Sequence, residues 1–440
     1  MIARILRTEL RRSSALAAGG LVVVLGVAGL YSMAMTDQTD IWDTEWTVLA
    51  VFQRIMLAVL WPLALGAGAW QARRDRRTRM EELLSTTPRP AWRRVLPTSA
   101  AMAICLTIGY VALLAAGAIR VAGNTDYRPA GWIPIALVGA LSLIAAGWLG
   151  MGIGRLVPST YTPPVLAVAG FLVLLVPVQV GKDGPISNIS LLAPLFSGPS
   201  DEFTTVAGAV NAGQAVWFAG LALGGLALLM VARRRWMAVA AVPVVAGLLI
   251  AVPLLDSAPE GGFQADLVAA SEVCTADSGP VVCVTKVHED GLSALTGPAR
   301  RALTLLAKLP DAPTSVHEVT GSRPGPQPAA EVWFHSDNYR LGHGWESSGD
   351  ELVVRVLAGA GTRPCPDQNG DVDYRTRAIV SAWLYGQYPA PGPKATGEEA
   401  AARDAAWQAL RALPADEQLR RVTAVRQEGL ACASTGSGAR

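Results

Sequence analysis

Charge is what the first 255 residues of this 440-residue chain lack. Apolar runs at 15–35, 48–70, 98–121, 132–152, 162–180, 214–231 and 237–254 hold almost no ionisable side chain. Arg54 and Arg120 are the exceptions within them, and Arg155 lies just past the fourth. All three are near run ends, where a long stem can snorkel to the interface. Ionisable groups at bilayer depth are costly and usually functional, so their scarcity argues against a proton-coupled carrier or a channel with a charged filter. Other absences narrow the field further. No GxxxxGK[ST] loop is present to cradle ATP phosphates, and the four histidines form no HExxH pair, which excludes a zincin-type protease. No internal repeat is evident.

Seven apolar runs in series are what is there, each near the roughly 20 residues needed to cross a hydrocarbon core of about 30 Å. A hydrophobic share of 51% and a mean hydropathy of +0.33 agree, given the long polar C-terminal part. The fold expected is a polytopic α-helical membrane protein of about seven transmembrane helices with a C-terminal extracytoplasmic α+β domain. The segments are an amphipathic interfacial helix at 1–14, a six-span region at 15–235, a seventh span at 236–255, a linker at 256–262, a soluble domain at 263–432 and a disordered tail at 433–440. The first run could instead be a cleaved signal peptide, although it is long for one and lacks a clear cleavage site.

Basic residues set the orientation. Arg4, Arg7, Arg11 and Arg12 precede the first run, eight arginines from Arg73 to Arg94 separate the second and third, and Arg233, Arg234 and Arg235 separate the sixth and seventh. The alternate loops are poor in Lys and Arg. The positive-inside bias therefore places the N-terminus and the Arg-rich loops in the cytoplasm of a cell with a plasma membrane, and the C-terminal domain outside.

Cysteine usage fits that placement. Cys105 lies within the third run, while Cys274, Cys283, Cys365 and Cys432 form an even set in the exterior part. An oxidising compartment favours disulfides, and four cysteines permit three pairings. Cys274 with Cys283 would close a hairpin-like turn around Asp277 and Pro280, and Cys365 with Cys432 would tie down the tail. A zinc site competes weakly, because no CxxC pair occurs. In this domain, 281–287, 331–335 and 352–357 read as strands, and 298–309, 374–385 and 398–413 as helices. The acidic stretch from Asp367 to Asp373 reads as a solvated turn, its glycine misplaced for a calcium loop. His335 and His343 read as surface residues, and Trp333, Trp345, Trp383 and Trp407 as packing residues. No cofactor, metal or nucleic-acid partner is expected.

The sharpest signal is the loop after the second run. Arg76, Arg77 and Arg79 lead into Glu81, Glu82, Leu83, Leu84, Ser85, Thr86 and Thr87, and Pro88 halts the helix that these residues would form. The stretch resembles the coupling helix of type-2 ABC transporter permeases, with one extra Thr against that family's pattern. The basic, amphipathic 1–14 and the proline-bearing 186–196, placed where that family has short re-entrant helices, fit the same resemblance. It covers roughly residues 1 to 235; the seventh span and the exterior domain are additions. The resemblance implies a permease subunit, no enzyme in itself, working as an exporter in a homo- or heterodimer with a separate ABC ATPase docked on this loop. A plainer reading of the arginines is that they hold topology and touch anionic lipid. The alternative function is a membrane-anchored exterior ligand- or partner-binding protein without transport. A membrane-embedded enzyme is a third possibility, disfavoured because no polar catalytic set appears at bilayer depth.

Overall fold

Long apolar runs without polar partners can satisfy their backbone at bilayer depth only as helices. The computed structural model describes residues 14–33, 42–43, 45–77, 90–183, 188–196, 202–230, 237–320, 327–334, 349–365, 372–392 and 394–435. Within it the runs form α1 (Ala15–Met33), α2 (Trp46–Arg77), α3 (Ala91–Asn124), α4 (Trp132–Leu156), α5 (Thr162–Asp183), α6 (Gly208–Met230) and α7 (Met237–Asp256). Among the described residues six of these, all but α5, hold a stretch long and apolar enough to cross a membrane, and the described part of α5 is apolar over Thr162–Pro177. The chain is thus a multi-pass membrane protein by helix length and composition.

The outward faces carry the same message. On α5, Val165, Val168, Leu172 and Val176 recur at helical spacing and are all exposed, as are Val242, Val245 and Leu249 on α7. A water-soluble bundle would place polar residues there. A bilayer takes them as they are.

Helix crossings in this bundle are built on glycine. α2 meets α4 so closely that a Cβ at Gly68 would lie 2.1 Å from the Gly147 carbonyl oxygen, and one at Gly150 would lie 1.9 Å from that of Leu65. α1 crosses α3 at Gly19 and Gly109, α4 crosses α6 at Gly225, and α6 crosses α7 at Gly220 and Gly247. Without a hydrophobic force between helices in lipid, such approach and the dispersion it allows hold the bundle together. The glycines and alanines of 139–154 and 219–227 are therefore packing devices and not mere composition. A two-stranded antiparallel ladder, β1 (Thr204–Val206) with β2 (Phe263–Ala265), ties the chain entering α6 to the chain leaving α7.

The chain divides into two units, 1–122 with 128–266 and 123–127 with 267–440. The second contains a four-stranded sheet in the order β3 (Glu272–Cys274), β4 (Val282–Thr285), β5 (Ser315–Glu318) and β6 (Glu331–Phe334). β3 and β4 are an antiparallel hairpin, and β4, β5 and β6 run parallel. α8 (Leu292–Leu306) makes the crossover from β4 to β5, as a parallel pair requires. Its Leu295, Ala299, Ala302 and Leu306 pack with Val282, Val284, Val316 and Val332 in one core. α9 (Gly349–Leu357), α10 (Tyr374–Tyr385), α11 (Gly397–Arg411) and α12 (Ala415–Thr435) complete the unit.

One expected strand is a helix. Residues 352–357 lie in α9, with Leu352, Val353, Val356 and Leu357 buried at positions i, i+1, i+4 and i+5. That spacing matches a helical stripe. The apolar run alone did not separate it from a strand.

Candidate functional site

The bundle end that receives the starts of α2, α4 and α6 contains a buried polar cluster. Arg54, eight residues into α2 and so about 12 Å along it, is fully buried. The sequence reading has it snorkel to the interface; the structure turns it inward. Its Nε donates to the Pro194 carbonyl at 2.5 Å, one terminal nitrogen donates to the Ile135 carbonyl at 3.3 Å, and the other to Gln214 Oε1 at 2.8 Å. The guanidinium also sits 4.9 Å from the centre of the Phe196 ring. The inward pose has a physical cause: segment 188–196, between α5 and α6, is non-helical apart from the single turn Ile189–Leu192. Its carbonyls therefore need donors from elsewhere.

Side chains of the helices supply them. Gln214 Nε2 donates to Leu191 at 2.7 Å and to Ala193 at 3.1 Å, and Trp217 Nε1 donates to Leu192 at 3.1 Å. Asn188 returns the favour, donating to the carbonyls of Leu255 and Ala258 at the end of α7. Arg54, Gln214 and Trp217 thus hold a folded-in segment against α2 and α6. Nearby, Gln53 and the Tyr110 hydroxyl are buried without a hydrogen-bond partner among the described residues. Unsatisfied groups of this kind mark a place of strain or function.

Glu45, just before α2, is buried as well. Thr47 donates its hydroxyl to Oε1 at 2.8 Å, and Oε2 has no partner among the described residues. Burial pushes the carboxyl up from its ordinary 4.5 to about 7; the Thr47 contacts pull it down, and the charges of Glu202 and Asp266 push it up again. Asp43 beside it differs, pairing with Arg120 at 3.2 Å.

Of the predicted coupling residues, Arg76 and Arg77 end α2. Arg79, Glu81, Glu82, Leu83, Leu84 and Pro88 lie outside the described residues. The helices that bracket them are long: α2 has 32 residues and α3 has 34. These correspond to about 48 and 51 Å. α2 continues past Gln71, whose side-chain oxygen accepts from the Ser14 N–H at 2.9 Å just ahead of α1.

In the second unit, Cys274 and Cys283 form the expected disulfide across the β3–β4 hairpin. Glu272 is close enough to complete a three-ligand cluster with them, yet a disulfide offers no thiolate to a metal. Cys365 is also disulfide-bonded. The side chain of its predicted partner, Cys432, lies outside the described residues, as do His335, His343 and Trp345. Asp373, from the oxygen-rich stretch, caps α10 by accepting from the Thr376 N–H at 2.9 Å. At the carboxyl ends of β4 and β5, Glu318 accepts from the Thr285 N–H at 2.7 Å and hydroxyl at 2.8 Å, and it meets His288 Nδ1. Nothing in the sequence spacing of these three residues announced that buried cluster. All are sealed from solvent, which suits a core polar lock and not a catalytic centre.

No protein family, curated protein or solved structure matches this chain.

Proposed function

We propose that the chain is the membrane-spanning permease subunit of an ATP-driven exporter of the type-2 ABC kind, coupled to a separate ATPase by the loop between α2 and α3. The observation that carries this reading is the pair of overlong helices around that loop. Both exceed the roughly 30 Å hydrocarbon thickness by about 20 Å. That surplus is enough to present the Arg-rich stretch and the Glu82-Leu83-Leu84 motif beyond the membrane surface. The chain has no phosphate-binding loop of its own, so the ATPase must be a partner. Segment 188–196, folded back between the fifth and sixth helices, supports the same resemblance. The positive-inside bias puts the loop in the cytoplasm, and a disulfide in the second unit suits an exterior, oxidising location. Two permease subunits would enclose the export path.

The test is co-purification from detergent with candidate ATPase subunits, comparing wild type with Glu82→Arg plus Leu84→Asp. The expected result is stoichiometric ATPase with wild type and at least a tenfold loss with the double variant. Absence of ATPase from both samples would remove the transporter reading.

A further inference from the structure

α10, α11 and α12 line an open, largely apolar cleft of about 350 Å³ in the second unit, within the size range of small-molecule sites. Ile379, Leu410, Val422 and Val425 are among its walls, and Arg375 and Arg421 stand on its rim. The cleft persists for identifiable reasons. α11 is pinned at its first turn, where Glu399 accepts from Arg375 at 2.6 Å. It is pinned again at its middle, where Trp407 stacks on Tyr388 at 4.9 Å and Asp404 accepts from the Tyr388 hydroxyl at 2.7 Å. Alanines 406 and 424 line the space where larger side chains would fill it. An open cleft leaves this apolar lining in contact with water, and an apolar guest that covers it gains the free energy of burying that surface.

Rim chemistry selects the guest. Arg375 engages Glu399 through Nε and one terminal nitrogen, and Arg421 engages Glu417 through Nε at 3.3 Å. The second terminal nitrogen of Arg375 and both of Arg421 have no protein partner among the described residues, so they are free to donate to an anion. An apolar cleft beneath two such guanidiniums matches a molecule with the same division.

We propose that this cleft binds an acyl-chain amphiphile with an anionic head, the chain lodged among Ile379, Leu410, Val422 and Val425 and the head on Arg375 and Arg421. A fatty acid and a lysophosphatidate share this chemistry. The proposal does not depend on coupling to an ATPase.

The experiment uses the full chain in nanodiscs of neutral phospholipid and three photoreactive diazirine probes of equal chain length: a fatty acid, a lysophosphatidate and an uncharged long-chain alcohol. After irradiation, labelled peptides are mapped by mass spectrometry. Labelling of 374–385, 397–411 or 415–435 by an anionic probe, at least tenfold above the alcohol, is the expected result. Which anionic probe labels more strongly distinguishes carboxylate from phosphate. Competition by unlabelled acids should weaken about fourfold per methylene removed. Ala406→Trp fills the cleft and should abolish labelling. Arg421→Gln, at an exposed position that leaves folding intact, should lower anionic labelling and leave the alcohol unchanged. Labels confined to the membrane helices, equal labelling by the alcohol, or an Arg421→Gln protein that labels like wild type would each overturn the proposal.

Discussion

Arg54 donates to three buried acceptors; Ile135 keeps its backbone partner within α4, so loss of Arg54 strands the Pro194 carbonyl and Gln214 Oε1. Each buried group left unpaired costs about 1–3 kcal/mol. Arg54→Ala should therefore destabilise the protein by about 2 kcal/mol or more. Arg54→Lys should rescue little, because one ammonium cannot span a planar fork of acceptors. Thermal loss of the monodisperse peak in detergent chromatography reads both; a Lys variant as stable as wild type would mean the fork is not used. Glu45 gives a pH prediction. Its folded value of about 7 lies above the ordinary 4.5, so the neutral carboxyl is what the folded state prefers. The stabilisation is fully present below pH 4.5 and is lost as pH rises through 7, a change on the order of 3 kcal/mol. Glu45→Gln should flatten that decline, and the melting-temperature gap between variant and wild type should widen from pH 5 to pH 7.5. An unchanging gap would show that Glu45 ionises in the folded protein as it does in water. Neither residue was readable in this role from sequence. Arg54 looks like any arginine near a span end until the carbonyls of 191–194, some 140 residues away, are brought beside it.

At the scale of elements, the crossings are set by backbone contact and not by large side chains. Gly150→Val would drive a methyl-bearing Cβ into the Leu65 carbonyl, and the two most closely packed helices, α2 and α4, would have to separate. Overpacking of this sort costs about 1–3 kcal/mol, more where the clash is with backbone. Gly20→Ala is the control, since nothing lies within 4 Å of the added Cβ. The expected outcome is a lower melting temperature and yield for Gly150→Val and none for Gly20→Ala; equal behaviour would mean that α2 and α4 do not approach as described. The glycine and alanine runs on α4 and α6 were visible in the sequence, but which glycine meets which carbonyl depends on helix rotation, and a one-dimensional pattern does not carry that. The hairpin closed by Cys274 and Cys283 was one of three pairings open to the exterior cysteines, and its short separation around Asp277 and Pro280 made it a candidate that the structure bears out. Residues 352–357 were not legible, because a short, nearly continuous apolar run reads equally as a buried strand or a buried helix until burial at i, i+1, i+4 and i+5 is seen.

The whole molecule was legible in outline, because run length against bilayer thickness is a strong constraint and the loss of such runs after residue 255 marks a second unit. Its path through the membrane turns on α5. This helix begins at the level of Gly66, where Pro163 contacts α2, and Gly170 lies against Trp61 and Leu65, so it runs antiparallel to α2. Its 22 residues span about 33 Å, enough to return across the bilayer. If α5 crosses, five crossings separate Pro90 from Leu267, and the two residues lie on opposite sides; if α5 only dips in, four crossings place them on the same side. Both positions are exposed and neither is in a helix. Single cysteines at Pro90 and Leu267, treated in intact cells with a membrane-impermeant maleimide, decide between the two. Leu267→Cys should label at once, and Pro90→Cys only after the membrane is opened. Labelling of both in intact cells, or of neither, would remove α5 from the set of spans and with it the outward placement of the second unit.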